Sequence, residues 1–214
     1  MAAKQVAGNC YICGTELGKT AMKNHLLKAH NEKESGQLCA LLKAESVSKK
    51  YWLFIDIPVD KTLSDVDKFL RDIWLECCGH MSAFSGQGHV KINMSRKIMD
   101  FAVGEKLLHR YDFGSTTETT ITVVDEIYRG FHGRAVRLLA RNVPHVFVCV
   151  ECGKLAKYYC TECAWNWDSE PFFCNSCGET HRHEDMLMPI TNSPRMGVCG
   201  YGGEYDHYTF IPSK

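Results

Sequence analysis

The chain has 214 residues, a hydrophobic fraction of 45% and a formal net charge of zero at pH 7. The hydrophobic fraction is typical of globular proteins, and the balanced charge excludes a general polyanion-binding protein. No apolar run approaches the roughly 18 residues of a membrane-spanning helix. The first ten residues lack the apolar stretch of a secretory signal peptide. We therefore expect a globular, cytoplasmic protein.

Charge and cysteine content set the expected chemistry. The twelve cysteines point to metal ligands, because disulfides are rare in a reducing compartment. Residues 1–50 contain eight Lys and four acidic residues, whereas residues 149–214 contain five basic and nine acidic residues. Only the N-terminal segment therefore has the charge that nucleic acid attracts.

Residues 1–32 are predicted to form a zinc finger. Its ligands would be Cys10, Cys13, His25 and His30. Two cysteines in a tight turn and two histidines nearly one helical turn apart can surround a zinc ion. The segment resembles a two-Cys two-His finger with a slightly short loop and no central aromatic residue. Its predicted helix carries Lys19, Lys23 and Lys28, which we expect to contact nucleic acid.

Two further segments follow the finger. Residues 33–50 are predicted to be a linker or a short amphipathic helix. Residues 51–148 are predicted to form an α+β domain, sandwich-like, with one or two helices on an antiparallel sheet. Its strands are expected over 51–59, 89–94, 115–127 and 134–142, while 96–103 and 106–111 are ambiguous. A helix over 60–79 would begin with a capping pair, Thr62 and Asp65.

Four stretches of this region resemble a known family. They are TLSDVDKFLRDIWLECCGHMSAF, YDFGSTTE, LLARN and NSPRMGVCGY. They resemble the plasmid Ri ORF-three-like family, which also occurs as a passenger protein in mobile elements. The resemblance covers roughly residues 50–203 and implies an α+β fold, but it implies no settled biochemical activity. The N-terminal finger lies outside the family pattern.

Residues 149–190 are predicted to be a module that holds two zinc ions. The candidate ligands are Cys149, Cys152, Cys160, Cys163, Cys174, Cys177, His181 and His183. Eight such ligands in four pairs fit two zinc sites, and iron–sulfur ligation is less natural with two terminal histidines. The alternating pairs resemble B-box and HIT-type fingers, which favours a crossed arrangement over a sequential one. His181 or His183 could also be spare, with Cys199 as the substitute ligand.

The predicted metal sites are structural. Each has four candidate protein ligands, and a closed site leaves no position for substrate. About three zinc ions would thus hold small modules that cannot bury enough apolar surface alone. Thiolates make the C-terminal module more acidic still, which favours a protein partner for it. Residues 191–214 are predicted to be a tail that packs on the core.

Other residues allow an enzymatic hypothesis. His80, Asp112 and Glu118 are weak catalytic candidates, because polar residues on turns between apolar runs suit a binding pocket. Cys77 and Cys78 could include a nucleophile, although the helix prediction instead places Cys77 on an apolar face. Trp165 and Trp167 are expected to pack over the zinc sites rather than form an exposed platform.

These observations favour a zinc-binding, non-enzymatic adaptor without a membrane partner. The expected partner is a nucleic acid or a ribonucleoprotein such as the ribosome, bound through the finger. One alternative is an enzyme that acts on nucleic acid in a mobile-element context, although no complete catalytic signature is present. The other is a pure protein–protein scaffold, for which the finger lysines would be irrelevant.

Overall fold

An antiparallel sheet organises the fold. The computed structural model describes residues 6–33, 36–130, 134–165 and 171–203. Within these residues the main sheet has nine strands in the order β2-β1-β9-β4-β3-β8-β7-β5-β6. The strands are β1 (Ala7–Cys10), β2 (Glu16–Gly18), β3 (Gln37–Ser46), β4 (Trp52–Pro58), β5 (Ser82–Ser85), β6 (Lys91–Ile92), β7 (Lys106–Tyr111), β8 (Thr117–Arg129) and β9 (Arg137–Asn142).

A small second sheet and short helices complete the described structure. The second sheet has the order β11-β10-β12 and consists of β10 (Tyr158–Cys160), β11 (Phe172–Phe173) and β12 (Leu187–Pro189). The helices are α1 (Lys19–Ala29), α2 (Leu63–Leu70), α3 (Thr161–Ala164) and α4 (Asn175–Gly178). The expectation of an α+β fold with an antiparallel sheet and small Cys/His modules is confirmed.

The two longer helices cover opposite faces of the main sheet. Alternate residues of a strand point to opposite faces, and the two apolar clusters divide β3 accordingly. Leu42 packs in the cluster that contains α2, whereas Leu41 packs in the cluster that contains Met22 and Leu26 of α1. The finger helix is therefore part of the core, resting against Trp52 and its neighbours.

The prediction of a linker or helix over residues 33–50 is wrong. Gln37–Ser46 forms β3, which lies between β4 and β8 near the middle of the sheet. Because helices cover both of its faces, most of its residues are buried in succession. A strand buried on both faces lacks the alternation of apolar and polar residues. The sequence pattern of β3 therefore does not indicate a strand.

The other predicted elements are largely present. Strands β4 and β9 fall within the segments expected to be strands, and β8 overlaps the expected segment 115–127 but continues to Arg129. The ambiguous segment 106–111 is strand β7. The segment 89–94 contains only the short β6, and 96–103 contains a 3-10 turn at Ile98–Asp100. The capping pair is confirmed, since the Asp65 carboxylate accepts a hydrogen bond from the Thr62 backbone N–H at 2.9 Å.

The predicted helix over 60–79 ends earlier than expected. After α2 the chain makes one π-helical turn over Arg71–Leu75 and becomes extended at Glu76. The prediction that Cys77 occupies the apolar face of this helix is therefore wrong. Cys77 and Cys78 lie instead on the loop that leads to β5, where Cys77 is half-buried against the core and Cys78 is exposed.

The described part of the C-terminal segment packs on the central domain. The Ser193 hydroxyl donates to the Trp74 carbonyl at 2.6 Å, and the Tyr201 hydroxyl donates to the Ile73 carbonyl at 3.2 Å. Arg195 is fully buried. Residues 191–203 thus contact the π-helical turn that follows α2, while residues 204–214 lie outside the described residues.

Candidate metal centres

Four groups of cysteine and histidine side chains converge within the described residues. In each group, one ligand atom per residue lies within 4.8 Å of all the others. The finger cluster is Cys10, Cys13, His25 and His30; the four-cysteine cluster is Cys149, Cys152, Cys174 and Cys177; the mixed cluster is Cys160, Cys163, His181 and His183; the loop cluster is Cys77, Cys78, His80 and Cys199.

The finger cluster combines a β-hairpin with the finger helix. Cys10 ends β1 and Cys13 lies in the turn before β2, where the Gly14 N–H donates to the Cys10 carbonyl at 2.8 Å. His25 lies within α1 and His30 caps its C-terminus. Cys13 Sγ lies 3.2 Å from His25 Nε2, and the two histidine Nε2 atoms lie 3.1 Å apart. All four predicted ligands therefore meet at one point.

The C-terminal ligands meet in the crossed arrangement. The first and third cysteine pairs form the four-cysteine cluster, while the second pair and both histidines form the mixed cluster. Cys152 Sγ lies 3.6 Å from Cys174 Sγ. In the mixed cluster, His181 Nε2 lies 3.3 Å from the sulfurs of both Cys160 and Cys163. His183 Nδ1 approaches Cys163 Sγ at 3.5 Å, so neither histidine is spare.

The small sheet holds these two clusters side by side. Cys160 ends β10, which pairs with β12 through Leu187, and the short helix α3 then places Cys163. The Cys163 N–H donates to Cys160 Sγ at 3.4 Å, an N–H···S contact of the kind that stabilises a thiolate. The ring of His181 packs against Phe173 of β11, with ring centres 4.1 Å apart, which fixes the imidazole.

Neighbouring thiols oppose one another's ionisation. Burial opposes ionisation of Cys149, but backbone N–H groups near Cys174 and Cys152 outweigh it and lower its pKa to about 6. The nearby sulfurs of Cys152 and Cys174 raise the pKa of Cys177 to about 12. Burial and the adjacent Cys160 raise the pKa of Cys163 to about 11. A divalent cation stabilises the neighbouring thiolates together, because the thiolate is the form of cysteine that binds metal.

These arrangements are compatible with zinc. Sulfur and imidazole nitrogen are the ligands of structural zinc sites, which are closed by four protein side chains. Each cluster offers four such atoms. The finger cluster and the mixed cluster each offer two Cys and two His. The four-cysteine cluster offers four Cys, and the loop cluster offers three Cys and one His. The clusters thus suit a structural role, and bound substrate would need to displace a ligand.

The loop cluster was not among the predicted metal sites. The sequence instead predicts a weak catalytic role for His80, a core position for Cys77, and a substitute-ligand role for Cys199 in residues 149–183. The structure brings these three residues together with Cys78. The signal in the sequence was the run Cys-Cys-Gly-His together with one unassigned cysteine near the C-terminus.

The catalytic candidates do not form a catalytic group. His80 Nε2 lies between the sulfurs of Cys78 and Cys199 and 3.5 Å from the Asp112 carboxylate. The ion pair with Arg195 at 2.6 Å lowers the pKa of Asp112 to about 2. A carboxylate this acidic is a poor general base near neutral pH. Glu118 pairs with Arg110 at 2.9 Å instead.

The finger lysines occupy two different sides of α1. Lys19 and Lys23 flank the buried stripe of Met22 and Leu26, and Lys19 pairs with Glu45 of β3. With 100° between successive residues, Lys28 projects from the opposite, exposed side of the helix. The structure therefore groups only two of the three predicted lysines.

The aromatic residues beside the mixed cluster are only partly described. Trp165 is 83% exposed, so the expectation that it packs over a metal site is wrong. It follows α3 directly, where the chain leaves the small sheet. Trp167 lies outside the described residues.

Comparisons with known proteins add little to this geometry. No family model matches the chain, and no curated protein matches it. One solved structure, a protein of unknown function from Methanosarcina mazei Go1, is 16% identical, with 56% of this chain and 76% of that chain covered and a TM-score of 0.43. None of the described helices is long and apolar enough to span a membrane. The resemblance to the plasmid Ri ORF-three-like family stays a prediction.

Proposed function

We propose that this protein is a zinc-stabilised, non-enzymatic adaptor that binds the phosphate backbone of a nucleic acid, free or within a ribonucleoprotein. The observation that carries the proposal is a basic patch on the part of the main sheet that α1 leaves uncovered. We define this basic sheet face by six side chains. They are Lys19, Lys23, Lys43, Lys91, Lys106 and Arg110.

Strand register places these residues on one face. Thr122 of β8 pairs with Lys43 of β3 on one side and with Lys106 of β7 on the other. Directly paired residues of antiparallel strands point to the same face. Leu107, the neighbour of Lys106, packs in the core with α2, so Lys106 points outward, on the α1 side of the sheet.

The patch extends in both directions from Thr122. On one side, a cavity of about 290 Å³ lies between α1 and the sheet. It is lined by Lys19 and Lys23 of the helix and by Lys43 of β3. On the other side, Arg110 of β7 and Lys91 of β6 continue the same face through their pairing with β5. Basic side chains from one helix and three strands, β3, β6 and β7, thus share one surface.

The character of the face favours phosphate over bases. Its acidic residues, Glu45 and Glu118, already pair with Lys43 and Arg110, which leaves an excess of positive charge. On β8, the outward-facing residues that follow Glu118 include Thr120 and Thr122. Their hydroxyl groups suit hydrogen bonds to phosphate oxygens. Such a surface binds the backbone with little dependence on base sequence.

The packing of α1 argues against groove reading by the finger. A recognition helix presents a free face to the bases, but one side of α1 is packed in the core through Met22 and Leu26, and its exposed side carries a single basic residue, Lys28. The clusters therefore support a protein whose metals hold structure while the sheet face contacts the partner. His80 lies 3.5 Å from Asp112, but Asp112 is paired with Arg195 and Glu118 with Arg110, which weakens the enzymatic alternative.

The direct test is binding of labelled single-stranded and duplex oligonucleotides by the zinc-loaded protein, followed by fluorescence anisotropy over a salt series. We expect the logarithm of the binding constant to fall linearly with the logarithm of salt concentration, by about 0.7–0.9 per phosphate neutralised. Reversal of Lys23 and Lys106 to Glu should weaken binding about tenfold or more and flatten this slope.

A matched double variant controls for net charge. Lys28 and Lys68 are both exposed and lie away from the basic sheet face, so their reversal to Glu should leave affinity and slope nearly unchanged. Equal weakening by both double variants would show that only overall charge matters. An absence of binding at low salt would leave the scaffold alternative, for which a protein partner should be recovered independently of nuclease treatment.

A further inference from the structure

The loop cluster has the dimensions of the three clusters whose ligands the sequence predicts. His80 Nε2 lies 3.1 Å from Cys78 Sγ and 3.2 Å from Cys199 Sγ. Cys78 Sγ lies 3.6 Å from Cys199 Sγ and 3.9 Å from Cys77 Sγ. Four ligands placed about 2.0–2.3 Å from a zinc ion are separated from one another by about 3.3–3.8 Å. The atoms are therefore spaced as ligands around one ion.

The backbone around the cluster is held in place by specific contacts. The Glu76 carboxylate accepts hydrogen bonds from the Gly79 N–H at 2.5 Å and from the Tyr111 hydroxyl at 3.1 Å. Gly79 has a φ of 82°, which permits the tight turn between Cys78 and His80. Cys199 itself has a φ of 51°, an uncommon conformation for a residue with a Cβ atom. Such conformations persist where surrounding contacts determine them.

A buried guanidinium accompanies the sulfurs. Arg195 Nη2 donates to Cys77 Sγ at 3.5 Å and to the Asp112 carboxylate at 2.6 Å. Three thiolates and one neutral imidazole around a divalent cation carry a net charge of −1. A neighbouring arginine stabilises such a group and hydrogen-bonds one of its ligands, as outer-shell residues of metal sites do.

We propose that Cys77, Cys78, His80 and Cys199 form a fourth zinc site, which fastens residues 191–203 to the central domain. Three cysteines and one histidine are a common donor set of structural zinc. The site joins ligands 121 residues apart in the sequence. Because only the folded chain brings these ligands together, the binding free energy of the metal stabilises the folded state. This inference does not depend on nucleic-acid binding.

The first test is alkylation of the reduced, zinc-loaded protein with iodoacetamide, mapped by peptide mass spectrometry. Cys78 and Cys199 are exposed thiols, so they should react quickly unless a metal ion holds them. We expect both to remain unlabelled until a chelator is added, and a reductant alone to have no effect. Rapid labelling of both in the zinc-loaded protein would overturn the proposal, as would protection that a reductant alone removes, which would indicate a disulfide.

Cys39 provides the internal control for unfolding. It is 3% exposed and belongs to none of the four clusters. If chelation releases metal without unfolding the main sheet, Cys39 should stay unlabelled while Cys78 and Cys199 react. Labelling of all three together after chelation would mean that metal removal unfolds the main sheet as well, and would contradict a site that fastens only residues 191–203 to the central domain.

A pair of variants gives a second readout, the zinc content per chain. Cys199→Ser should lower the content by one ion, whereas Cys39→Ala should leave it unchanged. A Cys199→Ser protein that keeps the full zinc content would overturn the proposal. If that variant fails to fold, the alkylation map of the unaltered protein decides the question alone.

Discussion

Removal of metal by a chelator should unfold residues 149–190 while the main sheet stays folded. Among the described residues of this module, the buried hydrophobic side chains are Cys149, Ala156, Cys160, Phe173 and Cys174. Three of these five are candidate ligands. The strands of the small sheet have only two or three residues each. The module therefore has almost no apolar core apart from its metal sites.

The expected effect is large. Apparent zinc-binding free energies in finger peptides are about 10–16 kcal/mol per structural ion, and this energy is largely folding energy. The main sheet has a different basis for its stability, since its buried residues fill two clusters on its two faces. Metal removal should destabilise the finger helix α1 only partly, because Met22 and Leu26 remain packed on the sheet without the ion.

Hydrogen exchange of backbone amides, followed by mass spectrometry before and after chelation, measures this difference. We expect peptides from residues 149–165 and 171–190 to lose protection, and peptides from β3, β4 and β8 to keep it. Zinc added back in excess should restore the original pattern. If the C-terminal module keeps its protection in protein shown to be metal-free, its metals are not structural.

Replacement of Arg195 by Met should destabilise the protein by about 3–5 kcal/mol, the usual effect of removing one partner of a buried ion pair. Arg195 is fully buried, pairs with Asp112, and donates to the Ser115 carbonyl and the Thr117 hydroxyl at 2.9 Å and 3.0 Å. Its guanidinium also lies 4.9 Å from the centre of the Tyr111 ring. Met would leave the Asp112 carboxylate without its cation.

Urea denaturation of zinc-saturated protein, monitored by the fluorescence of the buried residues Trp52 and Trp74, measures the free energy of unfolding. Arg96→Ala is the matched control, because Arg96 and Asp100 form an exposed pair with side chains 45% and 43% accessible. Such pairs contribute about 0–1 kcal/mol. A loss below about 1 kcal/mol for Arg195→Met would show that water replaces the arginine, contrary to its buried placement.

The sequence predicted the ligands that are close together along the chain. Pairs of cysteines and histidines a few residues apart define the finger cluster and the two C-terminal clusters, because a zinc knuckle is a local structure. The loop cluster joins residues 77–80 with Cys199, and no local pattern connects them. The helix prediction also concealed it, since it extended α2 past Leu75 and assigned Cys77 to an apolar face.

The fold and the basic sheet face show the same difference between features set by local sequence patterns and features set by contacts far apart in the sequence. Strands covered on one face, such as β8, alternate between buried and less buried residues and were predicted. Strand β3 is buried on both faces, and its sequence pattern predicts a linker or helix instead. The charge bias of the first fifty residues was visible in composition, but the grouping of Lys19 and Lys23 with Lys43 and Lys106 depends on strand register. Register is a tertiary property that pairs residues far apart in sequence.

Native mass spectrometry of the protein purified without added metal tests most directly whether metal ions hold this fold. We expect each chain to carry four zinc ions, one for each cluster, and to shift only partly towards higher charge states when a chelator removes them, because residues 149–190 unfold while the main sheet stays folded. A metal-free chain whose charge-state distribution equals that of the zinc-loaded chain would contradict the assignment of the clusters as structural zinc sites. Bound iron with labile sulfide in place of zinc would contradict it equally.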